Sequence, residues 1–266
     1  MGIYFNPGNE SFACDKNSRI YIDKTGLLEY LNGMLGTNSK CLAVSHARRF
    51  GKSHAAGMID AYYSLGCDST EIFEGTKISE SADYKKYMNK YNVIHLDISS
   101  FFDFYKENIV EKVTEYIYKD FKESFNDELN YHDSLNYNLM VIYQKTNTPF
   151  VIIIDEWDVL IRDMAANSKI QDEYISFLRG LFKGTEPTKY IQLAYLTGIL
   201  PIKKEKTQSA LNNFDEFTML SAGRLSPYIG FTEAEVKELS ERYQVEFDKV
   251  KAWYDGYVLK NCQVYN

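Results

Sequence analysis

The sequence predicts an α/β fold in which helices cover both faces of a mainly parallel sheet, giving three layers. Three observations predict it. Short, mainly apolar runs recur at 41–44, 93–98 and 150–154, the last of them wholly apolar and largely β-branched; long helical stretches separate them; and polar residues able to do chemistry stand at the carboxyl ends of the runs. A strand buried on both faces loses its polar alternation, and a crossover long enough to hold a helix brings the chain back parallel. With 266 residues, 45% apolar and 25% charged, the chain can bury a sizeable core and is not disordered. One main unit with an appendage is expected.

In chain order, Ile20-Tyr21-Ile22-Asp23-Lys24-Thr25 precedes a helix expected from Thr25 to about Gly36. The run opening at Cys41 is a strand that passes into Ser45-His46-Ala47-Arg48-Arg49-Phe50-Gly51-Lys52-Ser53. A helix is expected over 53–65, because Ala55, Ala56, Met58, Ile59 and Tyr62 are spaced to dock on a sheet, with Gly66 as its C-cap. In the strand 93–98, His95 alternates with apolar neighbours and reads as a hydrogen-bonded structural histidine. One amphipathic helix is expected over 103–125 and another over 133–145, leading through Pro149 into the strand 150–154. A further strand, 190–196, ends in Thr197-Gly198. Thr232 followed by Glu235 forms a capping box that opens a helical appendage expected to reach the chain end. The organisation read from this is an N-terminal segment packing on the core (1–40), the core (41–220) and the appendage (221–266).

The chemistry concentrates at three strand ends. Gly51, Lys52 and Ser53 stand where a phosphate-binding loop needs them: glycine for close backbone approach, lysine for phosphate charge, and a hydroxyl for Mg2+. His46 replaces the opening glycine of the usual pattern, which alters loop shape more than phosphate contact. Arg48 and Arg49 can compensate, since a guanidinium meets a phosphate in a bidentate way. Residues 48–54, which add Phe50 and His54, are the expected nucleotide-contacting segment. The second strand end is Asp155-Glu156, where Asp155 is a candidate Mg2+ ligand with Ser53 and Glu156 a candidate to polarise the attacking water. Thr197 is the third, resembling a polar sensor on a strand lying between the other two. Each motif also has a structural reading: a chance Gly-Lys-Ser, a solvated turn after a core strand, a Thr closing a strand. Their occurrence together and in order favours the chemical one.

Composition removes several function classes. The net charge is −7 and there is no large basic tract, so a non-specific duplex binder is disfavoured; the nearest clusters are Arg48 with Arg49, and Lys203, Lys204 and Lys206. The 22 tyrosines are scattered, which suits core and surface packing better than a nucleic-acid stacking platform. Cys14, Cys41, Cys67 and Cys262 have no paired metal spacing, and Cys41 is expected in the core. Neither a signal peptide nor a membrane-length apolar run is recognisable, so a cytoplasmic location is the default expectation.

Taken together, the sequence resembles the bacterial AAA-ATPase-like family of P-loop ATPases, often fused to a C-terminal nuclease-like domain of the PD-(D/E)XK kind. The resemblance spans nearly the whole chain. It is carried by Tyr21-Ile22-Asp23-Lys24-Thr25-Gly26, Arg48-Arg49-Phe50-Gly51-Lys52-Ser53, Ile154-Asp155-Glu156-Trp157-Asp158, Leu196-Thr197-Gly198-Ile199-Leu200-Pro201-Ile202-Lys203-Lys204, Ser209-Ala210-Leu211-Asn212, Gly230-Phe231-Thr232 and Trp253-Tyr254-Asp255-Gly256-Tyr257. It implies a P-loop NTPase three-layer sandwich and makes the missing glycine a family trait. The departures are His46-Ala47, where relatives carry Arg-Pro, and Glu205-Lys206, where they carry an aromatic and a glycine. The end at Val264-Tyr265-Asn266 falls where relatives continue, so a short or truncated form is expected.

The resulting expectation is an ATP-binding P-loop protein that hydrolyses ATP with Mg2+. Lys52, Glu156 and Thr197 are the catalytic candidates. Arg48, Arg49, Arg162, Arg179 and Lys203 are unranked candidates for further phosphate charge compensation. The alternatives are a nucleotide-gated regulatory module without appreciable turnover, a P-loop kinase of a small acceptor and, disfavoured by the acidic balance, a nucleic-acid interaction protein. Expected partners are ATP and ADP, with a nuclease-like domain or another protein beyond the C-terminus and self-association left open.

Overall fold

A computed structural model describes residues 2–125, 134–164, 167–202, 210–254, 256–259 and 262–266. The elements run α1 (Glu10–Lys16), α2 (Gly26–Asn32), β1 (Cys41–Ser45), α3 (Lys52–Tyr63), α4 (Thr70–Phe73), α5 (Tyr84–Tyr87), β2 (Asn92–Asp97), α6 (Ile98–Tyr105), α7 (Ile109–Phe125) and α8 (Leu135–Thr146). They continue with β3 (Phe150–Asp155), α9 (Val159–Asp163), α10 (Ser168–Phe182), α11 (Pro187–Tyr190), β4 (Ile191–Gly198), β5 (Asp215–Thr218), β6 (Phe231–Thr232), α12 (Glu233–Arg242), α13 (Phe247–Trp253), β7 (Tyr257–Leu259) and β8 (Cys262–Tyr265).

Five strands form one sheet in the order β2-β3-β4-β1-β5, with every pair parallel. All residues of β1 and β3 are buried, as their unbroken apolar runs require. Successive side chains point to opposite faces, so Ala43, Ile152 and Ile154 join one core with α6 to α10, while Leu42, Val44, Val151 and Ile153 join another with α2 and α3. These two cores on one sheet are the expected three layers. The strand ending in Thr197 lies between the strand that enters the loop and the strand ending in Asp155, as the sequence reading placed it.

The structure corrects three expected elements. The helix over 103–125 is two helices, α6 and α7, broken at Lys106 with φ of +37°. Asp97 starts α6 early by accepting the Ser99 N–H, and the Asn108 carbonyl accepts the first bond of α7 from Lys112. The helix α3 stops at Tyr63, short of the expected cap, and Gly66 instead sits in the following turn, where Leu65 N–H bonds to Tyr91 O. The appendage is not purely helical: after α12 and α13 the chain forms β7 and β8, which with β6 make an antiparallel sheet of order β6-β8-β7. Tyr257, Val258, Val264 and Tyr265 favour strands. The capping box itself is present, with Thr232 and Glu235 bonding each other's backbone N–H.

Two junctions tie the ends of the chain to the core. Asp120, buried on α7, accepts the Tyr4 and Phe5 N–H groups at 2.6 and 2.9 Å. The Lys24 ammonium reaches Glu235 Oε2 at 2.6 Å and Pro227 O at 2.8 Å, so the N-terminal segment is bonded to the C-terminal unit. Burial lowers the Lys24 pKa while Glu235 opposes the shift.

Candidate nucleotide site

The segment from His46 to Gly51 leaves the carboxyl end of β1 and enters α3. Arg49 and Gly51 both adopt left-handed φ, +70° and +72°, which turns the chain around Phe50. Gly51 can take this φ without strain, whereas a side chain there would have to bear it. Phe50 is buried; its carbonyl accepts the Gly230 N–H at 3.1 Å and its ring packs against Tyr257 with centroids 5.4 Å apart. The loop is therefore anchored from inside by an aromatic side chain and from outside by the C-terminal unit. No described side chain caps the N-terminus of α3 at Gly51, so its first amides keep their capacity for an anion.

His46 lies fully buried, with its backbone N–H on Gly198 O at 3.0 Å and neither ring nitrogen hydrogen-bonded. Burial, with Lys52 adding to it, pushes the ring pKa from 6.5 down to about 4, so the folded chain holds it neutral. The unfolded chain takes up that proton below about pH 6.5, and the stability from neutral His46 is thus full above that pH and lost as pH falls towards 4. The whole effect is about 3 kcal/mol, of which about 2 kcal/mol is gone by pH 5. Thermal melts at pH 7.5 and 5 are expected to show a smaller acid loss for His46→Leu than for the wild type.

Lys52 is buried at the start of α3 and donates to Ala47 O at 3.0 Å, with its Nζ 3.9 Å from Glu156 Oε1. Burial lowers its pKa, opposed by Glu156, Asp155 and Asp158. At the end of β3, Asp155 Oδ1 accepts both the Thr197 hydroxyl and the Glu156 N–H, the latter at 3.0 Å. Glu156 has φ of +50°, a left-handed conformation that is costly for a side-chain-bearing residue and is held here by these bonds. Its Oε2 lies 3.4 Å from Arg162 Nη1. Lys52, Asp155, Glu156 and Thr197 are thus brought together, while Ser53 and Arg48 are exposed beside them.

Other expected residues fall elsewhere. His54 is exposed and pairs with Asp15 at 2.7 Å. Both line a mainly apolar cavity of about 430 Å³ together with Phe12, Tyr21, Arg49 and Tyr228. This cavity opens beside the loop, between the N-terminal segment and the C-terminal unit. Arg179 is exposed on α10. Lys203, Lys204, Glu205, Lys206 and Ser209 lie outside the described residues, as does Asp255. His95 bonds Asp60 at 3.2 Å, the structural histidine the alternation implied. Cys41 is buried, which pushes its thiol up to about 11.

The sequence reading placed Asp158 and Gly198 in its motifs but gave neither a role in the site. Asp158 is fully buried, and its Oδ2 accepts the Ile199 and Leu200 N–H groups at 3.2 and 2.7 Å and faces Arg162 at 3.3 Å. Its i,i+4 spacing from Arg162 was the available signal. A Cβ on Gly198 would stand 2.7 Å from both Asp158 Oδ1 and Trp157 Nε1, and those side chains are immobilised by burial. Gly198→Ala is expected to cost about 2–3 kcal/mol, read as a lowered urea midpoint with unchanged m-value.

A nucleotide with Mg2+ fits these residues. Lys52 and the open amides of α3 suit phosphate oxygens. Ser53 and Asp155 are hard oxygen donors, and Asp155 Oδ2 takes no hydrogen bond from the described residues. Among those residues no cluster of three or more His, Cys, Asp or Glu could hold a metal ion alone. A cation here would need phosphate oxygens as well, which is how Mg2+ is commonly held.

The order β3-β4-β1, with a lysine loop, a carboxylate pair and a bonded threonine at adjacent carboxyl ends, is that of the α/β P-loop fold. The chain belongs to the AAA-ATPase-like family, described as "Predicted AAA-ATPase", whose model matches residues 8–207. A curated relative, "Uncharacterized protein in vnfD 5'region" of Azotobacter chroococcum, is 24% identical over 257 residues, 92% of this chain and 46% of that protein. The chain thus spans about half the length of that relative. Two similar solved structures are the replication initiator DnaA bound to AMPPCP and single-stranded DNA, and the Aeropyrum pernix ORC2 protein in ADPNP-ADP complexes. The first is 11% identical, covering 88% of this chain and 58% of that one with TM-score 0.40. For the second, 12% identical, the values are 90%, 56% and 0.48. No described helix is long and apolar enough to cross a membrane.

Proposed function

We propose that the chain binds ATP and hydrolyses it to ADP and phosphate with Mg2+. The observation that supports this most is Glu156 Oε1 lying 3.9 Å from Lys52 Nζ while Asp155, next to it, is bonded to Thr197. A water-activating carboxylate and a phosphate-binding ammonium need such proximity, and a purely structural ion pair would not need the sensor strand beside it.

Lys52 and the amides of α3 hold the β- and γ-phosphates, with Arg48 and Arg49 on the exposed side of the loop. The apolar cavity beside Arg49 and Gly51 takes the base and sugar, with Phe50 fixing the loop at its edge. Glu156 orients a water in line with the terminal phosphorus and draws on its proton as the bond forms. Thr197, bonded to Asp155, reads the terminal phosphate. Ser53 and Asp155 would hold Mg2+, which when bound supplies charge neutralisation to the phosphates.

Phosphate release by the purified chain tests the reading. Steady, Mg2+-dependent release from ATP without any added acceptor is expected. Release only when a small acceptor is supplied would replace hydrolysis with phosphoryl transfer, and saturable binding without release would leave a nucleotide-gated module.

A further inference from the structure

Glu156 lies between two cations that are held in different ways. Lys52 Nζ has a neutral acceptor, Ala47 O at 3.0 Å, and stands 3.9 Å from Glu156, so turning towards an anion costs it little. Arg162 is fixed on its far edge by Asp163, at 3.1 Å from Nε and 3.3 Å from Nη2, and by Asp158 at 3.3 Å from Nη1. Asp158 is itself locked by the Ile199 and Leu200 amides. The guanidinium therefore stays in place whether or not Glu156 remains against it at 3.4 Å.

A carboxylate that orients water on a phosphate must stand beside a polyanion, and the repulsion is unfavourable unless a cation balances it. Among the described residues the cations in contact with Glu156 are Lys52 from α3 and Arg162 from α9; Asp155 on β3 bonds its N–H, Asp158 shares Arg162 with it, and Thr197 on β4 is neutral. Once Lys52 is engaged by phosphate, Arg162 is the cation of this set left to Glu156. We propose that Arg162 is the positioning residue of the site: it acts through Glu156, balancing and holding that carboxylate beside the phosphates, without contacting them itself. This rests on the nucleotide reading above, and it separates Arg162 from the other arginines that the sequence left unranked.

A double-mutant cycle on the full chain tests it. Titrations use the Mg2+ complex of a non-hydrolysable β,γ-imido analogue of ATP and four proteins: wild type, Arg162→Gln, Glu156→Gln and the double variant. Arg162→Gln is expected to weaken binding about tenfold, because Glu156 then repels the phosphates uncompensated. In the Glu156→Gln background the same change should alter affinity less than twofold. Arg162→Lys, which keeps the charge, should recover affinity to within about threefold of wild type, while the turnover of Arg162→Gln falls further than its affinity does. Equal losses in both backgrounds would mean direct phosphate contact or a general structural role, and no loss in either would mean no role; each overturns the inference and leaves nucleotide binding intact. Absence of binding by the wild type would overturn the nucleotide reading, and this inference with it. If Arg162→Gln does not fold, Arg162→Met serves in the same cycle.

Discussion

Glu156→Gln is expected to retain Mg2+-ATP binding and to lose about 10²- to 10³-fold in the rate of phosphate release. The amide keeps the size and one acceptor of the carboxylate but cannot draw on the proton of the attacking water. Asp155, Thr197 and the left-handed backbone at Glu156 do not depend on its side chain, because their bonds run through Thr197 Oγ1, Asp155 Oδ1 and the Glu156 N–H. The fold at β3 and β4 should survive, and melts of wild type and variant should agree within a few degrees. Affinity should rise if it changes, since an anion beside the phosphates has been removed. Phosphate release that is unaffected by Glu156→Gln would remove the hydrolytic assignment while leaving binding to be judged separately.

Lys52→Ala is expected to weaken nucleotide binding about 100-fold, roughly 2.7 kcal/mol. The size follows from losing a charge-assisted contact in a buried place where water cannot replace it. Lys52 is buried, and burial already lowers its pKa against the pull of three carboxylates, so the folded chain bears a desolvation cost to keep an ammonium there. Its hydrogen-bond acceptor is the Ala47 carbonyl and its ion-pair partner is Glu156 at 3.9 Å, and its removal strands no buried charge, since Glu156 keeps Arg162. The unliganded variant should therefore melt close to wild type. What it should lose is ligand protection: nucleotide at 100 times Kd stabilises a wild-type chain by about 2.7 kcal/mol, and the variant at that concentration should gain little.

Much of the fold was legible because burial on both faces leaves an unmistakable residue pattern. The strands at Cys41 and Phe150 have no polar residue inside them, and the long crossovers between strands leave a parallel sheet as the natural outcome. The small sheet at the C-terminus was not legible. Its strands are two to four residues long, too short to show a period, and a genuine capping box at Thr232 drew the whole region towards helix. The break at Lys106 was hidden for a related reason, since Phe101 and Ile109 both face the core and an unbroken helix would fit the same apolar residues.

The site divides in the same way. Asp155, Glu156 and Thr197 stand at or just past strand ends and Lys52 opens the helix that follows β1, so sequence order brings them to one edge of the sheet. The distinction among arginines depends on contacts through space. Arg162 meets Glu156 because a short helix turns back on the carboxylate turn, whereas Arg179, farther along the chain, faces outward. Nothing in the residue types could rank them. The burial of His46 was equally hidden: a histidine in a polar, arginine-rich loop looks exposed, and its seat beside Phe50 and Gly198 appears only once β4 is laid against β1.

The most direct test of the central claim is a calorimetric titration of ATP with Mg2+ into the wild-type chain and into Lys52→Ala. The predicted result is saturable binding at one site in the wild type and no measurable heat from the variant over the same concentrations. Equal binding by both proteins would contradict the assignment of the Gly51-Lys52-Ser53 loop as the nucleotide site.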